Sequence, residues 1–460
     1  YNYAVDATGA AMEGLHYIGY ALNSLAPLDC AIYDLTGVEL LDYYPAMQRL
    51  PYWSMNMTVP SGNAQASIGQ GDNMGNYSGP YYIINRYKQA DALWGWEQTY
   101  GLSGKGKFSS EYEGNGWSMP AIIFFEDQSL TPTPPTAENN PLTAIYDKGI
   151  VISRDSWEKS ASMITFTCGY GWAGCWNHPD DNTFTFYAKN EAFVVDLGAG
   201  KLQSSDHNVV LVDGKGMDFV GGPTMVAGDL QKTAVLENGA LYLRGNNVAS
   251  YEKNDTLTDS IRQLVYSGGE TPYVIILDYA KGSGSHTYST NFYTGTGNRV
   301  SVAKDKSYAS IRGTNKGELC YVFPYTPEGV TLSTKTTNGA VGISTSSTSS
   351  LHRQATVFAT ANSDGSVPEI NFFAEGNMTT VTVTSLVNGK KVTDTYVFDL
   401  DELKSHSSKT ETTTENVTQT LDTEKDSKKN GYIYLVIIAA FLIVVAVAVV
   451  MFFKKNRKEK

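Results

Sequence analysis

Two histidines and one aspartate stand at the ends of three apolar runs. His178 precedes Thr183-Phe184-Thr185-Phe186-Tyr187, Asp196 closes Phe193-Val194-Val195-Asp196, and His207 opens the run from Val209 to Val212. β-branched and aromatic residues bounded by Gly, Asn and Asp predict three short strands. Neighbouring antiparallel strands lie about 4.8 Å apart, so their ends can gather the three side chains. Two imidazoles and one carboxylate suit zinc or a similar divalent ion. The spacing alone leaves a second reading open, in which the histidines bond loop backbone and Asp196 caps a turn.

The elements that must position these residues divide the chain. Up to about residue 128 the pattern is helical: Leu15, Ile18, Leu22 and Leu25 recur at helical intervals, and further helices are expected around 37–50, 81–92 and 91–100. Residues 129–142 form a linker, since Pro132, Pro134 and Pro135 end any helix. From 143 to 402 short strands alternate with Gly/Asn/Asp turns, which predicts an antiparallel β-sandwich. Ser267-Gly268-Gly269-Glu270 reads as a hairpin loop between two of its strands.

The next segment, 403–430, is rich in Ser, Thr, Lys and Glu and reads as an extended stalk. Residues 431–453 carry no charge and are long enough to span a bilayer as one helix. The basic tail 454–460 that follows is expected in the cytoplasm, with residues 1–430 outside the cell membrane. The 460-residue chain carries a formal charge of −12. A broadly acidic chain lacks the footprint of a nucleic-acid binder. Of the four cysteines, Cys168 and Cys175 are close enough in sequence to pair, although spacing alone does not decide it.

The segment Glu13-Gly14-Leu15-His16-Tyr17, followed by His178-Pro179-Asp180-Asp181-Asn182-Thr183-Phe184, Asp196-Leu197-Gly198 and His207-Asn208, resembles the heparinase II/III-like polysaccharide lyases. It also resembles their relative, dermatan sulfate epimerase. The likeness covers roughly residues 10–300 and is most specific between 178 and 213. It implies an α+β, multidomain chain: the C-terminal part of an α/α toroid, then the antiparallel β-sandwich. It further implies that His178, Asp196 and His207 hold a structural divalent ion, zinc by the family's pattern, and that Tyr17 is the catalytic tyrosine. Tyr20, one turn further along the same helix, is the alternative.

The implied substrate is an acidic, uronate-containing polysaccharide, cleaved by β-elimination. Such an enzyme must neutralise the carboxylate, supply a base at C5 and protonate the leaving oxygen at C4. Re-protonation of C5 from the other face would make it a uronyl C5-epimerase instead. Trp172, Trp176 and Asn177 stand beside the histidine block and are candidates for binding sugar. Trp176 also occupies the position where the family pattern has a histidine, which keeps a third reading open: a surface glycan-binding protein without catalysis. His286, His352 and His406 belong to no motif and are expected in solvent.

Overall fold

In a computed structural model, the structure describes residues 5–11, 13–62, 64–68, 78–100, 130–169, 178–198, 203–217, 227–254, 257–337 and 339–412. Residues 1–412 form one compact unit. Among the described residues four helices come first: α1 (Leu15–Thr36), α2 (Pro45–Met57), α3 (Ser78–Arg86) and α4 (Ala90–Tyr100). Leu15, Ile18 and Leu22 are buried, as their spacing predicts. α1 stops at Gly37, whose left-handed backbone (φ 71°) lets its N–H close on the Tyr33 carbonyl at 2.7 Å. The helix expected over 81–92 is divided: Lys88 takes a positive φ of 53° between α3 and α4. These helices share one apolar core with Ile150, Ile152 and Met163 of the strands that follow, which by itself does not define a toroid.

Three antiparallel sheets follow. The first has β1 (Thr143–Tyr146), β2 (Ile150–Arg154), β3 (Met163–Thr167), β4 (Thr183–Ala188) and β5 (Glu191–Val194), paired in that order. The second, of ten strands, takes β6 (Val210–Val212), β7 (Asp229–Val235), β8 (Leu241–Asn246), β9 (Leu257–Ser267), β10 (Tyr273–Tyr293), β11 (Arg299–Val302), β12 (Ala309–Arg312), β13 (Leu319–Tyr325), β14 (Thr331–Thr337) and β15 (Ala340–Thr360). The third has β16 (Glu369–Glu375), β17 (Met378–Val387), β18 (Lys390–Phe398) and β19 (Leu403–Thr412). The expected hairpin is present, with Ser267 opposite Tyr273.

Alternation along the strands explains the stacking. Ile150 and Ile152 face the helices, whereas Val151 between them faces the second sheet. Along β10, Val274 and Ile276 pack toward the first sheet while Ile275 and Leu277 pack toward the third. Each sheet residue set is thus buried on the side its period-2 pattern assigns, and both faces of the middle sheet are covered. Among the described residues the sandwich therefore stacks three sheets.

Two expectations need correction. Leu403–Thr412, placed by composition in the stalk, form β19, paired along its length with β18. Its polar side chains bury little, but backbone hydrogen bonding to a formed strand does not depend on them, and Thr suits an edge strand. The three motif-free histidines are not simply solvated either. His352 is only 1 % exposed and stacks on Tyr288 at 4.7 Å, His286 Nδ1 lies 2.7 Å from Asp213 Oδ2, and His406 Nε2 accepts the Glu237 N–H at 3.1 Å. Cys168 is a free, buried thiol. Among the described residues no helix is long and apolar enough to cross a membrane; the expected span, 431–453, lies outside them, as do 413–430 and 454–460.

Candidate metal centre

The segment from His178 to Asn182 approaches the start of β4 through a tight turn. Asn182 adopts a left-handed conformation (φ 70°), its N–H donates to the Thr167 carbonyl at 2.6 Å, and the Thr183 N–H donates to the Asp180 carbonyl at 2.8 Å. Asn tolerates this conformation better than most residues. His207 follows a 3-10 turn (Ser204–Asp206), and its neighbour Asn208 clasps β4: its amide donates to the Phe184 carbonyl at 2.7 Å and accepts the Phe184 N–H at 3.0 Å.

His178, Asp180 and His207 are buried and offer ligand atoms that all lie within 4.8 Å of one another. The two imidazole rings are 5.3 Å apart. His207 Nε2 and Asp180 Oδ2 are buried without a hydrogen-bond partner among the described residues. Buried polar atoms are rarely left so, because desolvation is then uncompensated. A divalent cation satisfies both, and two nitrogens with one carboxylate oxygen are an established zinc donor set. The residues therefore fit a metal ion.

Asp196, read from the sequence as the third ligand, has a different position. Its Oδ2 lies 2.8 Å from His207 Nδ1 and also accepts Thr183 Oγ1–H at 3.2 Å; its Oδ1 accepts the Gly198 N–H at 2.9 Å. The carboxylate that groups with the two histidines within 4.8 Å is that of Asp180. A carboxylate on the far nitrogen of a ligating histidine fixes its orientation and tautomer. Sequence reasoning passed over Asp180 although it carries a usable signal: it lies two residues after His178.

The electrostatics agree with these roles. Burial pushes His178 down to about 4, helped by the neighbouring His207 charge, so it is neutral and able to ligate at neutral pH. Burial likewise raises Asp180 to about 6. Burial opposes charge on His207 as well, but the charge and hydrogen bond of Asp196 outweigh it and lift the imidazole to about 9. Against the same desolvation, His207 holds Asp196 below the usual carboxylate range. A cation at the group would favour the ionised form of Asp180 and the neutral form of His207.

Arg262 of β9 braces the centre from below. It pairs bidentately with Asp278 of β10 (2.6 and 2.8 Å), and its Nη1 donates to the carbonyls of Asn182 and Asn208, one from each ligand segment. Both Arg262 and Asp278 are 1 % exposed. Asp181, pushed up to about 7 by burial, receives Ser250 Oγ–H at 2.6 Å, which ties the same turn to the 3-10 segment Val248–Asn254 between β8 and β9. A side chain at Gly228 would meet the Asp181 carboxylate at 2.4 Å, so that position requires glycine.

Tyr17 is half-buried in the first turn of α1. The segment leading into this helix is tied to the β1–β2 turn: the Lys148 N–H donates to Asp6 Oδ2 at 2.8 Å, and Lys148 Nζ to the Ala11 carbonyl at 3.3 Å. The Lys148 charge in turn acts on both His178 and Asp180. The N-terminal end of α1 and the candidate metal centre thus flank the same turn. The Tyr20 side chain, Trp172, Trp176 and Asn177 lie outside what the structure describes.

No protein-family profile matches the chain, and no curated protein sequence is similar to it. Solved structures are. Heparinase III superposes with a TM-score of 0.63 at 15 % identity over 86 % of this chain and 61 % of its own. Heparan sulfate lyase HepC from Pedobacter heparinus gives 0.57 at 14 % identity, over 87 % and 60 %. The heparinase III structure of the BT4657 gene product gives 0.55 at 15 %, over 89 % and 60 %. The fold is that of the heparinase III structures. The chain spans about 60 % of the length of these proteins.

Proposed function

We propose that this chain is a polysaccharide lyase that cleaves a uronate-containing glycan by β-elimination. The observation that carries the reading is a heparinase III-like fold with a buried His–Asp–His group in the segment where the sequence resembles those lyases. In this reading His178, Asp180 and His207 hold a structural divalent ion, zinc by donor type, with Asp196 orienting His207. The ion would tie the β4 segment to the segment entering β6.

Tyr17 is the proton-transferring group. The C5 proton passes to the base, the C4–O bond breaks, a C4–C5 double bond forms, and the leaving oxygen takes up a proton. Residues 431–453 would anchor the enzyme in the cell membrane with residues 1–430 outside. The assay is release of the ultraviolet-absorbing unsaturated uronate from a panel of uronic-acid glycans by the full-length protein. Absence of that product from every member of the panel refutes the lyase. The wording His178-Pro179-Asp180-Asp181-Asn182-Thr183-Phe184 favours a uronyl C5-epimerase as the second reading; solvent deuterium entering C5 without chain cleavage would select it.

A further inference from the structure

A cleft of about 850 Å³ opens between the segment after α2 and the β4–β5 end of the first sheet. Its walls include Ser61, Lys159, Asn190, Glu191, Asp196 and Lys316. That volume lies within the range of about 300–1,000 Å³ typical of ligand sites.

The charges on its walls are unevenly committed. Glu191 is 3 % exposed, and its carboxylate accepts the backbone N–H groups of Asn315, Lys316 and Gly317. Asp196 is occupied by His207, Thr183 and the Gly198 N–H. Both acids are therefore satisfied from within the protein. Lys159 and Lys316, by contrast, are exposed, and among the described residues neither ammonium has an ion pair or hydrogen bond. A chain of net charge −12 thus presents a cleft whose uncommitted charges are positive.

We infer that this cleft is a binding subsite for an anionic saccharide, in which Lys159 and Lys316 read carboxylate or sulfate groups. Ser61 and Asn190 supply hydroxyl and amide groups for sugar hydroxyls. Asp196 belongs both to the cleft wall and to the support of His207, so the subsite adjoins the candidate metal centre. The inference rests on the proposed action on uronate glycans and specifies which surface recognises the charge.

The test is fluorescence anisotropy on the full-length protein with three labelled probes: a sulfated uronate oligosaccharide, its desulfated and carboxyl-reduced counterpart, and a neutral glucan oligosaccharide. The sulfated probe should bind most tightly, and its affinity should weaken with salt. Lys159→Ala and Lys316→Ala should each lower affinity about two- to fivefold and together roughly tenfold, as expected for solvent-exposed charges. Ser61→Trp, which fills the cleft, should abolish binding at unchanged metal content. Equal binding of the neutral probe, no binding of any probe, or unchanged affinity in the double lysine variant and in Ser61→Trp would each overturn the subsite. Lysine-dependent binding without unsaturated product would leave the subsite standing and remove the lyase. Unsaturated product with unchanged affinity and KM in the double variant would do the reverse.

Discussion

Arg262 and Asp278 offer the sharpest quantitative test of how the candidate metal centre is held. Both are 1 % exposed, and the two hydrogen bonds between them, at 2.6 and 2.8 Å, form a bidentate pair. Asp278→Leu leaves a buried guanidinium without its counter-ion, which costs about 3–5 kcal/mol. Arg262→Leu costs at least as much, because the carbonyls of Asn182 and Asn208 also lose their donor, at about 1–3 kcal/mol each. The double variant removes both charges and leaves only those two carbonyls unsatisfied, so its loss should be about 2–6 kcal/mol. Adding the single-variant losses counts the same carbonyls and, besides them, two broken pairs at roughly 6–10 kcal/mol, so the double variant should fall well short of additivity. Urea unfolding followed by circular dichroism measures the cycle. Metal affinity should not recover with stability, since both ligand segments remain untied in the double variant. Additive losses would refute the pair as a coupled unit, and wild-type metal affinity in Arg262→Leu would refute its bracing role.

Three further outcomes are expected. Asp180→Ala should eliminate stoichiometric divalent metal, read by mass spectrometry after dialysis, whereas Asp196→Asn should weaken affinity about 10–100-fold; retention in the first with loss in the second would restore Asp196 as the ligand. His352, fully buried against Tyr288, has its pKa lowered by burial to about 4 from the ordinary 6.5. Between those values the unfolded chain binds the proton and the folded one does not, so stability falls as pH drops through this window, by about 3 kcal/mol in total. His352→Leu should flatten that part of the stability–pH curve relative to wild type, and an identical slope would contradict the assignment. Tyr17→Phe should lower lyase kcat at least about 100-fold with metal content unchanged; wild-type turnover would move the proton transfer elsewhere.

Much of the fold was legible because its signals are local. The helical spacing of Leu15, Ile18 and Leu22, the strands from Ile150 to Val194 and the Gly268-Gly269 hairpin all follow from periodicity and turn chemistry. The third sheet was less so. β19 has a stalk-like composition, and only its pairing with β18 makes it a strand. His352 carries no motif, and its burial arises from β15 lying beside β10 in the middle of the second sheet. Arg262 lies on β9, away from the histidine motif, so its contact with both ligand segments had no sequence signature.

By itself, the sequence determined the order of helices and strands, the two histidines of the candidate centre and the likeness to a family of lyases, because residue type and spacing act over short range. Tertiary structure decided which carboxylate joins them. Asp180 and Asp196 are equally able to bind a cation as isolated side chains. The folded chain gathers Asp180 with the two histidines within 4.8 Å and sets Asp196 against His207 Nδ1, leaving His207 Nε2 and Asp180 Oδ2 without hydrogen-bond partners among the described residues. That choice depends on the direction of each side chain in a folded frame, which spacing along the chain does not specify.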